Sequence, residues 1–495
     1  MGGCYPSPAL SKFLEKELGR GQNALNLLYL NYRLFLNFFQ DMIFKAYDIR
    51  GIYPSQIDEK VVYLIGRAFV KFLAKPKANK FLVEPKINIA VGRDNRISSP
   101  LLFKALVKGL TEQGANVIDI GFSTTPMLYF SVAYYKFDGG IEITASHNPF
   151  HYNGLKLVKE RAIPLSEKSG LNEIKKIIQK RDFPKKNKGK IFHKKILKDY
   201  INFNTKSTKI TEIKPFKIVI DTANAVPGIV IPGIFKKIPG KIYHLFGKLD
   251  GNFPNHEPNP LIEKNLKALK AKVKKIKADL GIAFDGDGDR IIFVDNFGKF
   301  ILPDLIGALI TSIILKGNPN QKVLYDIRST KALPEIIKLY KGIPIMGRVG
   351  HSFIKEKMRK EDILFAIEFS GHYYHKFHYF CESPILVMLE ILKELSKAKI
   401  SISELILPFK KYFHSGEINF KVKNKKKILK KIEEKYKKGK ISHLDGLRVD
   451  FKNWWFSLRP SQTENILRLV IEAKKKELAI KKKKELTALI IGAKS

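Results

Sequence analysis

Three times along this chain a short apolar run is followed by a longer pattern of helical period and then by another apolar run, and that alternation restricts the fold more than any other feature. The first set is "INIAVGRD", "PLLFKALVKGLTEQG", "ANVIDIG" and "GGIEITAS". A second starts at "FKIVIDTAN" and passes through a Lys-rich helical stretch to "ADLGIAFDGD"; a third starts at "KVLYDIRST" and includes "GIPIMGRVG". Each set predicts an α/β unit with a parallel or mixed sheet. After "HSGEINFKV" the pattern changes: one Lys-rich helix lies among "ISHLDGLRVDF", "WWFSLRP" and "ILRLVIEA", with a closing helix, which predicts an α+β unit. The expected bounds are 42–195, 196–299, 300–411 and 412–495.

The chain has 495 residues, 44% of them hydrophobic, which is enough for several cores; length alone predicts about three or four domains. Cys4 and Cys381 are too few for a disulfide framework or a zinc site, and a reducing, cytoplasmic setting fits. Positions 24–39, "ALNLLYLNYRLFLNFF", contain Asn26, Asn31, Arg33 and Asn37 and fall short of the roughly 20 apolar residues of a membrane span. No basic stretch precedes them and no small-residue cleavage site follows, which argues against a secretory signal; Pro6 spoils a myristoylation motif. Residues 1–41 are expected to be either an amphipathic appendage or sequence upstream of a true start at Met42. The second is preferred because the globular pattern begins at "MIFKAYDIRG".

The formal net charge is +43, from 90 Lys+Arg against 47 Asp+Glu. Two readings are open: solvated lysine faces on a protein with anionic substrates, or a polyanion-binding surface. The lysines are spread along the chain, mostly within helix-period patterns, so the first is preferred, with no specific nucleic acid and no membrane partner.

Four loops at strand ends carry the chemistry, where α/β sheets place their ligands. In "ITASHNP", Ser146 precedes His147 and Asn148; it is a nucleophile if assisted, otherwise a turn residue, and the surroundings are not those of a hydrolase elbow. In "FDGDGDRIIFVD", Asp285, Asp287 and Asp289 fall within five residues between two apolar strands. Three carboxylates so close require positive charge. An EF-hand is excluded by Arg290 and Asn296 at the sixth and twelfth positions, whereas a hard ion such as magnesium suits a short carboxylate trio that leaves coordination positions for a phosphate oxygen, and Arg290 could face the same phosphate. "FAIEFSGHYYH" offers Glu368, Ser370 and His372, with His351 shortly before it, as partners for sugar hydroxyls and a proton, or as a structural turn. "LRPSQTENILRLV" holds Arg459, Ser461, Gln462, Thr463 and Arg468, the ingredients of a phosphate cradle.

"KAYDIRG", "TASHNP", "YNGLK", "DGNFPNHEPNP", "DGDGDR", "VGHSFIK", "EFSGH" and "RPSQTE" follow one another in this order, and on these motifs the chain from about Met42 onward resembles the α-D-phosphohexomutases, most closely the phosphomannomutase/phosphoglucomutase branch. The resemblance implies three similar α/β domains and a smaller α+β, TATA-binding-protein-like domain around a central cleft. It implies a phosphoryl group on Ser146, with Mg²⁺ held against it by Asp285, Asp287 and Asp289, and a hexose 1,6-bisphosphate as intermediate and activator. By the same resemblance Arg50 and His147 line the phosphoserine, Lys156 is a candidate acid/base, and Lys331 lies near the reacting sugar. Glu368 and Ser370 would bind sugar hydroxyls, and Arg459, Ser461, Gln462, Thr463 and Arg468 the non-reacting phosphate.

Some positions depart from the family pattern. Ala366 and Ile367 stand where two glycines are usual, Gln462 where Gly or Asn is common, and Asn465 where Pro is common. Phe369 and the form of the last loop lean toward mannose and glucose phosphates. Phosphoglucosamine mutase is the alternative, and a non-catalytic sugar-phosphate or polyanion-binding protein is the alternative of another kind. The expected partners are small-molecule hexose phosphates, and the expected assembly a monomer or homodimer.

Overall fold

The computed structural model describes residues 43–74, 86–461 and 465–492. The expectations for residues 1–41, Met42, Gln462 and Thr463 lie outside the described residues.

Four sheets follow one another along the chain. The first has seven strands: Ile49–Ile52, Tyr152–Lys159, Gly139–Ile143, Asn88–Arg93, Asn116–Phe122 and Ile191–His193 in spatial order, with Ile163–Pro164 beside Tyr152–Lys159. The second has five: Phe300–Ile301, Ile291–Val294, Leu280–Phe284, Phe216–Asp221 and Gly240–Leu245. The third also has five: Ile343–Gly347, Lys322–Asp326, Phe365–Ile367, Tyr373–His375 and Cys381–Glu382. The last is a six-stranded antiparallel sheet packed on the helices Lys425–Lys435 and Lys476–Gly492. These are the mixed α/β units and the α+β unit expected above.

The first three sheets share one device. Each has a parallel part whose last strand turns back into an antiparallel neighbour: Gly139–Ile143 into Tyr152–Lys159, Leu280–Phe284 into Ile291–Val294, and Phe365–Ile367 into Tyr373–His375. Both strands at each reversal are largely buried, so the connecting loop is held from two sides. The serine, aspartate and glutamate loops are these three connections.

The helices between the sheets explain how the loops converge. Helix Thr125–Tyr134 begins at Thr124, whose hydroxyl accepts from the Met127 N–H, with Pro126 in its first turn. Thr125 through Val132 are all buried, as expected of a helix that is covered on every side. Its Leu128, Phe130 and Val132 belong to one continuous core with Ile218 and Ile220 of the second unit and Ile306, Leu309 and Phe365 of the third. The last sheet has a separate core around Trp454, Phe456 and Ile471. Several short or edge strands escaped the sequence reading, among them Ile49–Ile52, Ile191–His193 and Gly240–Leu245; the last is an edge strand, half-buried or exposed along its length, with Lys241 and His244 blurring any apolar alternation.

Candidate active site

Ser146 sits in the left-handed region at φ 52°, a strained setting for a residue other than glycine. Its N–H donates to Thr144 Oγ1 at 2.9 Å, and its carbonyl accepts from Arg96 Nη2 at 2.8 Å. Arg96 is fully buried and also donates to the carbonyls of Asn148 at 2.7 Å, Pro149 at 2.6 Å and Tyr152 at 3.1 Å. One guanidinium therefore holds the whole serine loop, with Asp94 oriented against its Nε at 3.0 Å. The Ser146 hydroxyl is left pointing at the second unit: Oγ donates to Asp285 Oδ2 at 3.0 Å and lies 3.2 Å from His147 Nδ1. Burial, then Arg290 and Arg50, depress the His147 pKa well below its ordinary value, so the ring is neutral. Arg50 reaches the same loop, bonding Asn148 Oδ1 at 2.6 Å and Asp48 at 2.5 Å.

Asp285, Asp287 and Asp289 are buried, with one potential ligand oxygen from each lying within 4.8 Å of the others. Burial, reinforced by the other two acids, pushes the Asp285 carboxyl well above the usual range. Burial has the same tendency at Asp289, but Lys156 and His372 outweigh it and hold that group well below. Lys156 Nζ spans Asp287 Oδ2 at 2.5 Å and Asp289 Oδ2 at 2.6 Å. Its pKa is raised, because these two carboxylates more than offset desolvation. Thr125 Oγ1 also donates to Asp287 Oδ2, at 2.5 Å, whereas Asp287 Oδ1 is buried with no hydrogen-bond partner. An all-oxygen donor set with an orphaned carboxylate oxygen and more negative charge than one ammonium neutralises fits a hard divalent cation.

The third loop closes onto the second. The Ile291 N–H donates to the Gly371 carbonyl at 3.0 Å, and His372 bridges two sheets, with Nδ1 2.8 Å from Glu368 Oε2 and Nε2 3.1 Å from Asp289 Oδ1. Burial opposes the His372 charge, but Asp289 and Glu368 raise its pKa to about 9. Arg290 Nε stands 3.2 Å from the same Nε2, and its backbone N–H donates to Asp285 Oδ1 at 3.2 Å. With both ring nitrogens protonated, the Arg290 approach is donor to donor, and the two bridging carboxylates are what bind the ring. Ser370 Oγ is 2.9 Å from His372 Nδ1. Glu368 accepts from the Gly350 N–H and the Tyr374 hydroxyl, each at 2.9 Å. His351, at the start of helix His351–Glu361, is buried and packs edge-on against Tyr47 of the first unit at 4.8 Å.

Of the expected phosphate-binding residues, Arg459, Ser461 and Arg468 lie among the described residues of the last unit. Arg459 and Arg468 both approach Glu417, at 3.8 and 3.7 Å, and Arg459 lies 3.7 Å from Asp445. The Ser461 N–H is tied to the Ile466 carbonyl. Lys331 is not brought onto the glutamate loop: its ammonium donates to the Phe451 carbonyl at 2.8 Å, 3.7 Å from Asp450.

Two arginines were missed. Arg96 stands at a strand end in "GRDNRIS", a signal of the same kind as the four loops used. Arg328 in "YDIRST" is buried, pairs with Asp326 at 2.7 Å, and reaches Glu368 at 3.6 Å and Glu417 at 3.4 Å, so it links the glutamate loop to the last unit. The "DGNFPNHEPNP" segment also has a place: Pro258 packs under Gly286, and His256 Nε2 lies 3.1 Å from Asp221.

A chain that brings a strained serine, a carboxylate trio, a histidine–glutamate loop and an arginine pair together from four successive units matches one family along nearly its whole length. Models for phosphoglucomutase/phosphomannomutase α/β/α domains I, II and III and for the C-terminal domain match residues 41–185, 194–298, 302–412 and 417–488 in turn. The chain belongs to the phosphoglucomutase/phosphomannomutase family, as its motifs implied. A phosphomannomutase of Vibrio cholerae is 40% identical over 459 residues, covering 90% of this chain and 98% of that protein. One of Methanocaldococcus jannaschii is 41% identical over 456 residues, covering 91% and 97%. A crystal structure of a phosphoglucomutase/phosphomannomutase family protein of Burkholderia thailandensis superposes with a TM-score of 0.81 at 30% identity, covering 92% of this chain and 98% of that one.

Proposed function

We propose that the protein is a phosphohexomutase that interconverts hexose 1-phosphate and hexose 6-phosphate, of mannose and/or glucose, through phospho-Ser146 and a hexose 1,6-bisphosphate. The observation that carries this reading is the Ser146 hydroxyl, buried at 2% exposure and aimed at Asp285 Oδ2 across the junction of two units. The relatives named phosphomannomutase support the mannose and glucose reading over the amino-sugar alternative.

Asp285, Asp287 and Asp289 would hold Mg²⁺, with the Ser146 oxygen or its phosphate as a further ligand; when bound, the ion supplies charge stabilisation to the transferring phosphoryl group. The chain's own residues do the rest. Arg96 fixes the loop so that the serine oxygen needs no reorientation, and Arg50, His147 and Arg290 line the phosphoryl position. Lys156 and His351 are the proton-handling groups of this reading, with the raised pKa of Lys156 making its ammonium a weak acid in this state and the lowered pKa of His351 making its ring a weak base; His372 is tied between Asp289 and Glu368. Glu368 and Ser370 would take sugar hydroxyls, and Arg459, Ser461, Gln462, Thr463 and Arg468 the phosphate that is not reacting. Lys331 would serve the sugar only after leaving Phe451 and Asp450. A two-ended substrate needs these two separate phosphate sites, because the bisphosphate must turn over before its second phosphoryl group returns to Ser146.

We assign the four domains to 42–195, 196–299, 300–411 and 412–495, each carrying one loop. The protein is proposed to act in the cytoplasm as a monomer or homodimer, on small molecules, with a hexose 1,6-bisphosphate as activator and without a specific nucleic-acid or membrane partner. Among the described residues no helix is long and apolar enough to cross a membrane. Coupled assays with mannose 1-phosphate, glucose 1-phosphate and glucosamine 1-phosphate, primed with glucose 1,6-bisphosphate, test the substrate reading. Turnover of the first two is expected, and a clear preference for the amino sugar overturns it.

A further inference from the structure

A fifth strand end meets the carboxylate trio, and it comes from the first unit. Strand Asn116–Phe122 runs into the turn "FSTTP", residues 122–126, which opens helix Thr125–Tyr134. Ser123, Thr124 and Thr125 are all buried. Behind the turn, the Ser123 N–H donates to the Arg93 carbonyl at 3.0 Å, and its Oγ lies 2.9 Å from both carboxyl oxygens of the buried Glu142. In front of it stands Asp287 of the second unit. The Thr125 N–H donates to the Asp287 carbonyl at 2.9 Å, and Thr125 Oγ1 donates to Asp287 Oδ2 at 2.5 Å. Gly288 allows this approach: at φ +67° a Cβ there would lie 3.0 Å from Thr124 Cγ2 and 2.9 Å from Pro227 Cγ.

The first N–H groups of a helix have no partner within it. Here Thr125 donates to Asp287, Pro126 has no N–H to place, and Met127 donates to Thr124 Oγ1. The cap is therefore made by Thr124, and the Thr125 hydroxyl is left for the carboxylate. Asp287 Oδ2 receives two donors, Thr125 Oγ1 and Lys156 Nζ, while Oδ1 has no hydrogen-bond partner. The two donors are not equivalent. Lysine is a point charge on a flexible stem and can follow a carboxylate that rotates. A β-branched threonine in a buried helix has few rotamers, and the backbone of this one grips the same aspartate.

We infer that Thr125 is a positioning residue for Asp287: its hydroxyl fixes the carboxylate by Oδ2 and so keeps Oδ1 for the cation, while its N–H ties the carboxylate loop to the unit that carries Ser146. Hydrogen-bond partners of metal ligands set how tightly the ion is held, and losing one costs about 10–100-fold in affinity. The inference rests on the reading of the aspartate trio as a Mg²⁺ site.

The test is Mn²⁺ binding to the full, unphosphorylated chain, followed by the EPR signal of the free ion, for wild type, Asp287→Asn, Thr125→Val, Thr125→Ser and Thr125→Ala. Mn²⁺ is a suitable probe because it shares the preference of Mg²⁺ for oxygen ligands. Wild type should bind the ion and Asp287→Asn should bind it much more weakly. Thr125→Val keeps the shape of the side chain without its hydroxyl and should lose about 10–100-fold in affinity. Thr125→Ser keeps the hydroxyl and should stay close to wild type. Thr125→Ala set against Thr125→Ser isolates the hydroxyl a second time, at equal loss of the methyl group, should the valine variant not fold. In the mutase assay the Mg²⁺ concentration for half-maximal turnover should rise by the same factor as the Mn²⁺ dissociation constant. Valine and alanine variants that bind Mn²⁺ as tightly as wild type, with only the melting temperature lowered, overturn the positioning role and leave the metal reading in place. No Mn²⁺ binding by wild type, or undiminished binding by Asp287→Asn, overturns the metal reading and the inference with it.

Discussion

A Cβ built on Gly286 would lie 2.4 Å from the Ser146 carbonyl oxygen and 3.2 Å from Pro258, so the glycine between the first two aspartates is what allows the carboxylate loop to touch the serine loop. Gly371 plays the same part between the third loop and the second: at φ +87° its Cβ would lie 2.8 Å from Ile292. Gly286→Ala is therefore expected to cost about 1–3 kcal/mol of stability and, because the Ser146 oxygen moves with its loop, to lower turnover by about a hundredfold. Urea unfolding and the coupled mutase assay read the two effects separately. Asp287→Asn should divide them differently. It removes one of the two carboxylates that hold Lys156 and one charge from the trio, so turnover should fall by about 10²–10³-fold. Relief of like-charge repulsion should leave the melting temperature unchanged or higher. A variant that keeps full activity on Mg²⁺ would contradict the metal assignment.

At the level of elements, the turn between Tyr373–His375 and helix Pro384–Ala398 buries three titratable groups away from the transfer centre. Burial lowers the pKa of His375 to about 3 and of His378 to about 4, and raises that of Glu390 to about 8. His378 packs against the rings of Tyr200 and Phe203, and His375 Nε2 lies 3.7 Å from Glu390. The signs are opposite for the two residue types. A histidine depressed by folding contributes nothing above its unfolded value near 6.5 and destabilises progressively as pH falls below it; a glutamate raised by folding stabilises fully below about 4.5, and that stability is lost as pH rises toward 8. Denaturant midpoints measured from pH 4 to 8 should show both slopes. His378→Phe should flatten the acid slope and Glu390→Gln the alkaline one; slopes unchanged in these variants would place the dependence elsewhere.

The same elements show what could be read beforehand. The four loops were legible because each packs its chemistry into a few consecutive residues at the end of an apolar run, as in "DGDGDR" and "EFSGH". The role of Arg96 was not, because its partners Ser146, Asn148, Pro149 and Tyr152 lie in the serine loop and at the start of the strand after it, which come beside the arginine only when the sheet forms. Nor was the buried ion pair of Lys355 with Glu382: inside "VGHSFIK" the lysine has the spacing of an ordinary helix residue, and its burial depends on Tyr129 more than two hundred positions earlier. For Lys331 the sequence gives a position and not a direction: a long flexible side chain is settled by which carbonyl lies within reach, here that of Phe451.

Across the whole molecule, loops from three sheets meet over one continuous core, and Arg328 carries the contact on to the last unit through Glu417. Replacing Arg328 with Met breaks that link and its pair with Asp326. KM for the hexose phosphate should rise by about tenfold or more, with a smaller change in the phosphorylation of Ser146, as substrate titrations against bisphosphate labelling would show. An equal loss in both would mean that the arginine serves the serine loop as well. If the positive charge draws a dianionic sugar phosphate toward the cleft, added salt should lower kcat/KM.

The expected effects on turnover depend on Ser146 carrying the phosphoryl group. Intact-mass measurement, with peptide mapping, of the Mg²⁺-loaded protein after incubation with glucose 1,6-bisphosphate tests this most directly. The account predicts one added phosphoryl group, located on Ser146, lost on addition of excess hexose 6-phosphate and absent from Ser146→Ala, which should be inactive. Mutase turnover with no added phosphoryl group, or with one on another residue, would contradict it.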